Sequence, residues 1–221
     1  MPRIARAMAV GYPHHVTQRS NHGDFIFEDA GDYLKYLEWL RQYSAKYGFG
    51  VQAYCIMSNH VHFIGVPADE DSLSRTFNVL HMRYSRYFNR RKKLKGHLWQ
   101  GRFYSCALDE KHLYAAIRYV ENNPARAGLT AAAEDYRWSG AGGHVNGKAN
   151  ENVSGESYLF EEIRDWSAYL KNEDMDTVDK LRKSTLTGRP CGMEGFVGEL
   201  GSLLRRKLHA ASVGRPRLMG K

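Results

Sequence analysis

The chain has 221 residues, 43% of them hydrophobic and 25% charged, ordinary proportions for a soluble globular protein with one substantial core and an appendage. Its formal net charge of +8 favours a polyanionic partner, either nucleic acid or an acidic membrane. No apolar run approaches the roughly 20 residues needed to span a bilayer, which moves the expectation toward nucleic acid.

The N-terminal stretch MPRIARAMAVGYPHH has basic residues but neither a sustained apolar run nor a cleavage site, and reads as mature sequence rather than a signal peptide. His14 to Gln18 (HHVTQ) alternates and carries Val and Thr, which predicts a strand. From Gly31 to Tyr47, Leu34, Leu37, Leu40, Tyr43, Ser44 and Tyr47 recur at helical steps, and Gly48 ends the helix. Phe49 to Met57 and His60 to Val66 read as strands joined at Ser58–Asn59, with Pro67 closing the second. Asp71 to Asn89 is a helix with Leu73, Phe77, Leu80, Tyr84 and Phe88 on one stripe. Gly96 to Ala107 holds a fourth strand, and Glu110 to about Asn123 a third helix that buries Leu113, Ala116, Ile117 and Val120.

This order predicts an α+β fold, a ferredoxin-like split β-α-β arrangement with an antiparallel sheet and one added helix. Many functions use that fold, so it says nothing about chemistry. The Gly-, Asn- and Ser-rich stretch at 139–157 reads as a loop or linker, dividing a domain at 1–138 from a small helical, basic extension at 158–221. The last helix is expected from Met193 to Leu208. Cys55, Cys106 and Cys191 are odd in number and far apart, which gives no disulfide framework and fits a reducing cytoplasmic setting.

Two local patterns carry chemistry. In His60-Val61-His62 on a strand, alternation puts both imidazoles on one face, where they can grip one metal ion. An HxH strand is also often a mere polar pair. Tyr119 and Asn123, four apart on a helix, place a phenol and an amide oxygen one turn from each other. Tyr119 is also one of fourteen tyrosines, any of which can simply pack, and Pro124 threatens the helical geometry at Asn123. Together, the patterns form a minimum set for metal-assisted phosphoryl transfer by a tyrosine nucleophile.

The chain resembles the HUH single-tyrosine transposases, IS200-like, and within them the REP-associated tyrosine transposases, which act at repetitive extragenic palindromes. The resemblance is carried by PHHVTQRSNHG (Pro13 to Gly23), AYCIMSNHVHFIGVP (Ala53 to Pro67), RYSRYFNRR (Arg83 to Arg91), GHLWQGRFYS (Gly96 to Ser105), YVENNPARAGL (Tyr119 to Leu129) and TGRPCGMEGFVGELGSLLRRKL (Thr187 to Leu208). It implies a catalytic domain at 1–138 of the HUH endonuclease type that cleaves single-stranded DNA near hairpins. His60, His62 and Asn123 would be metal ligands for Mg²⁺ or Mn²⁺, and Tyr119 the nucleophile of a 5′-phosphotyrosine link. Two imidazoles in the set favour Mn²⁺ over Mg²⁺. A DNA strand transferase acting as monomer or homodimer, with no membrane partner and at the nucleoid, is the implied whole.

The binding surface is expected at Arg83, Arg86, Arg90, Arg91 and Lys92, interleaved with Tyr84, Tyr87 and Phe88, and at Arg102. The same run reads equally as a solvated helix face with Tyr84 and Phe88 in the core. Arg189, Arg205, Arg206, Arg215 and Arg217 extend the basic candidates, either as minor-groove hooks or as a basic tail. His15 is expected beside the site, since its strand should neighbour that of His60. Two other readings stay open: a non-catalytic nucleic-acid-binding protein, and a metal-dependent phosphodiesterase with no covalent step, which would not need Tyr119.

Overall fold

The strand that carries His60 and His62 is apolar almost throughout, because both of its faces are covered. The computed structural model describes residues 6–148, 150–153 and 163–209. Its sheet is built from β1 (His14–Arg19), β2 (Phe49–Ile56), β3 (His60–Pro67) and β4 (Tyr104–Ala107), all antiparallel neighbours in the order β2-β3-β1-β4. Residues opposite one another share a face, so the pairing of Thr17 and Cys55 with His62, and of His15 with Ile64 and Cys106, sorts the sheet into two sides.

Val16, Tyr54, Ile56, Val61 and Phe63 face one core with α1 (Ala30–Tyr47) and α2 (Ser72–Lys92). Ala53, Cys55, Ile64 and Cys106 face the other, under α3 (Glu110–Glu121). This is the expected ferredoxin-like α+β architecture. In α1 the buried stripe runs through Tyr33, Tyr36, Leu37, Leu40 and Tyr43, and Leu34, expected inside, is 52% exposed. The aromatic rings carry more apolar area, and they set the phase of the helix one residue away from that of Leu34.

α3 stops at Glu121, short of the expected Asn123. Asn122 caps it, and a separate turn, α4 (Asn123–Arg126), starts beside Pro124, whose missing N–H suits a helix start and not an interior. The glycine-rich stretch read as a loop forms α5 (Ala141–Val145), and Gly140 N donates to Tyr54 O at the edge of β2. Glycine there serves close packing: a Cβ on Gly140 would stand 2.6 Å from the Glu121 carboxylate. Beyond it lie α6 (Trp166–Lys171), α7 (Met175–Thr187) and α8 (Glu194–Leu203). α8 is shorter than the expected helix to Leu208, because Arg205 takes φ 50° and turns the chain back. Leu208 then buries beside Ala7, Ala9 and Leu200.

Val178 and Leu181 of α7 join the core under α3, so the C-terminal segment packs on the HVH face of the sheet. The three cysteines are free and buried. Among the described residues no helix is long and apolar enough to cross a membrane.

Candidate active site

The paired imidazoles lie at the start of β3. His62 is buried and His60 half-buried, with ring centroids 5.0 Å apart and planes at 84°. Asn59 sets His60: its amide donates to Gly23 O at 3.0 Å, so its Oδ1 faces His60 and accepts from Nδ1–H at 2.6 Å. His60 Nε2 is thereby left with its lone pair. His62 Nδ1 lies 2.9 Å from Nε2 of His15, which stacks on it from β1. His15 thus sits where strand pairing places it.

All three rings are held neutral. Burial, helped by the charges of Arg19 and Arg126, pushes His60 down to about 4. Burial pushes His15 to about 3. For His62 burial again leads, with His60, His15, Arg126 and Arg182 adding to it. A neutral imidazole is the form that ligates a metal.

Tyr119 comes down from α3 onto this pair. Its ring stands edge-on to His62 at 5.7 Å and to His15 at 5.9 Å. Two guanidiniums flank it. Arg126 lies 4.5 Å from the ring centre and donates to Tyr119 O (3.3 Å) and Asn123 Oδ1 (3.1 Å), while ion-pairing with Glu173. Arg182 of α7 lies 5.5 Å from the ring centre, with Nε 3.5 Å from the phenolic oxygen.

The structure therefore brings His60, His62 and Tyr119 together, and ties Asn123 to Tyr119 through Arg126. The donor set suits a divalent ion in part. Two imidazoles offer Nε2, and the Asn123 oxygen, though it accepts from Arg126, keeps a second lone pair. Asn123 Nδ2 is buried with no partner. Among the described residues no cluster of three or more His, Cys, Asp or Glu is placed to hold a metal.

The basic candidates divide. Arg83 lies over Trp39 and donates to Tyr43 and Gln42 of α1. Arg91 pairs with Asp29 and the fully buried Asp32, and Lys92 pairs with Glu28. Arg86, Arg90 and Arg102 instead line a groove of about 750 Å³ between α2 and the 96–103 loop, with His97, Trp99 and Phe103. Tyr84 and Phe88 lie in the core, as one of the two readings had it. Arg189 is half-buried, Arg205 borders a shallow groove at α8, and Arg206 donates to Arg6 O. Arg215 and Arg217 lie outside the described residues.

Sequence reasoning did not single out Arg126, Arg182 or Thr185, whose hydroxyl oxygen lies 2.8 Å from His15 Nδ1. Arg126 was within reach, three residues beyond Asn123 in the same block. Arg182 is 63 residues from Tyr119, and no spacing rule connects them.

A ferredoxin-like sheet with an HVH pair facing a helix-borne tyrosine is the arrangement of the HUH transposase fold. The chain belongs to the IS200-like transposase family, whose model matches residues 10–123. Among solved structures it is similar to a REP-associated tyrosine transposase bound to a REP hairpin, with 20% identity and a TM-score of 0.54 over 71% of this chain and 93% of that one. A candidate transposase from Deinococcus radiodurans R1 aligns at 17% identity and a TM-score of 0.38, over 55% of this chain and 97% of that one. No curated protein matches.

Proposed function

We propose that this transposase cleaves single-stranded DNA beside a hairpin and rejoins it through a covalent bond to Tyr119. The observation that carries the reading is the edge-on approach of the Tyr119 ring to His62, 5.7 Å away within the same chain. Tyr119 Oη attacks the scissile phosphorus, the P–O3′ bond breaks, and the DNA is left with a 5′-phosphotyrosine link and a free 3′-OH. The phenolic proton balances the one gained by the leaving 3′ oxygen. Attack by a 3′-OH reverses the step, so the stored phosphodiester energy suffices for rejoining. Arg182 and Arg126 meet the phosphate charge and orient the phenol. A divalent ion, Mg²⁺ or more tightly Mn²⁺, held by His60, His62 and the Asn123 oxygen, would polarise the phosphate.

Arg86, Arg90 and Arg102 are the proposed contacts to the DNA backbone, with Arg189, Arg205, Arg206 and the tail carrying Arg215 and Arg217 in a DNA-binding extension at 158–221. The hairpin partner is proposed from the solved relative, which is bound to a REP hairpin. The site of action is the cytoplasm, at the nucleoid.

The test is incubation with a pool of single-stranded hairpins with randomised flanks and Mn²⁺. Wild type should give denaturant-resistant protein–DNA adducts, and Tyr119→Phe none, with loss of cleavage of at least about 10³-fold. Cleavage that survives in Tyr119→Phe would establish the phosphodiesterase reading instead, and binding with no cleavage a binding protein.

A further inference from the structure

A hydroxyl on the C-terminal segment ends a hydrogen-bond chain that begins at the HVH strand. Thr185, in the last turn of α7, is 2% exposed. Its Oγ1 lies 2.8 Å from the Leu181 carbonyl, which can only accept, so the single hydroxyl proton goes there. Toward His15 Nδ1, 2.8 Å away, Oγ1 must then accept, and His15 carries its proton on Nδ1. Cys106 Sγ, 3.2 Å from the same oxygen, donates into the remaining lone pair. His15 meets no carboxylate among the described residues. As a neutral ring, it presents a bare Nε2 to His62 Nδ1 at 2.9 Å. His62 therefore donates from Nδ1 and keeps its lone pair on Nε2, the tautomer that Asn59 independently imposes on His60.

We propose that His15 and Thr185 are positioning residues that hold His62 in its metal-ligating tautomer, which makes α7 a working part of the site. This rests on the reading of His60 and His62 as metal ligands. The same helix presents Arg182, one turn before Thr185, to the Tyr119 oxygen, so one element touches the nucleophile and reaches the imidazole pair through His15. Partners that fix the orientation and tautomer of a ligating histidine typically change metal affinity by roughly 10–100-fold when lost.

The experiment is imidazole nitrogen NMR on the full chain, first metal-free and then with increasing Mn²⁺, for wild type, Thr185→Val and Thr185→Ser. Wild type should show His62 protonated on Nδ1. Thr185→Val, equal in shape but with no oxygen, should give a mixed His62 tautomer and weaken Mn²⁺ binding about 10-fold, and Thr185→Ser should return both to within about 2-fold of wild type. A wild-type His62 protonated on Nε2 would overturn the proposal, and this reading needs no variant to fold. An unchanged tautomer and affinity in Thr185→Val would overturn it as well. If the tautomer is as deduced but Mn²⁺ broadens neither His60 nor His62, the metal reading fails, and with it the purpose assigned to the chain of bonds.

Discussion

Tyr119 differs from most of the other thirteen tyrosines of the chain in what surrounds its ring. Tyr36 and Tyr84 are buried with their hydroxyls bonded to His81 and to Ile26 O, as packing tyrosines are. Tyr119 instead lies between two histidines and two guanidiniums. Arg126 makes a poor probe, because its removal would strand Glu173, whose side chain is only 12% exposed. Arg182 is cleaner: among the described residues its only ion pair is with the exposed Asp179. Arg182→Ala should lower single-turnover adduct formation about 10²-fold, while Mn²⁺ affinity stays near that of wild type. Arg182→Lys should recover part of the loss by restoring charge without the planar donor. A fall in Mn²⁺ affinity that matched the loss of rate would show that Arg182 acts through the imidazoles and not at Tyr119. The histidine pair was legible because strand alternation is a local rule. The Tyr119–Asn123 step was expected from helical spacing, but α3 ends at Glu121 and Asn123 opens a separate turn, joined to Tyr119 through Arg126. Arg182 and Thr185 were not, since only the docking of α7 onto the sheet brings them to the site.

At the scale of elements, β3 pairs with a partner on each side, and its register decides which way His60 and His62 point. Gly65 sits where β2 comes closest, next to the irregularity between Val51 and Ala53. A Cβ there would lie 2.5 Å from Gly50 O and 2.6 Å from the Phe49 ring. One contact is backbone and the other a fully buried ring, so neither can move cheaply. Gly65→Ala should destabilise the fold by about 1–3 kcal/mol, seen as a lower urea midpoint with an unchanged slope. A midpoint equal to that of wild type would mean that the strand shifts freely, and that the register of the HVH pair is held from elsewhere. The strand and helix order was readable because α1, α2 and α3 each show a helical period, while β2 and β3 are short runs, buried almost throughout, that break at Ser58–Asn59. The phase of α1 was not: Leu34 and Tyr33 both offer a helical stripe, and only the opposing core chooses between them. α5 was hidden for another reason, because composition marks glycine as loop even where, at Gly140, it allows backbone to approach a buried carboxylate.

Across the whole molecule, the net charge of +8 favours an anionic partner but does not say where it binds. The fold separates basic residues that stabilise from basic residues that remain available. Arg83 and Arg91, both on α2, are engaged by α1: one lies over Trp39, the other neutralises the buried Asp32. Arg86, Arg90 and Arg102 converge on one groove with aromatic neighbours, a composition suited to an unpaired strand. Each phosphate contact to single-stranded DNA contributes about 0.7 to the slope of log affinity against log salt. Replacing Arg86, Arg90 and Arg102 with Gln should therefore lower that slope by about 2 and leave thermal stability nearly unchanged. Arg83→Gln with Arg91→Gln should do the reverse, costing stability because Asp32 loses its cation, and leaving the slope in place. A slope that fell equally per charge in both sets would mean that DNA follows the overall field of the protein and not the groove. In that case the run from Arg83 to Lys92 would act as one basic face, and the partners it meets on α1 would have to give way when DNA binds.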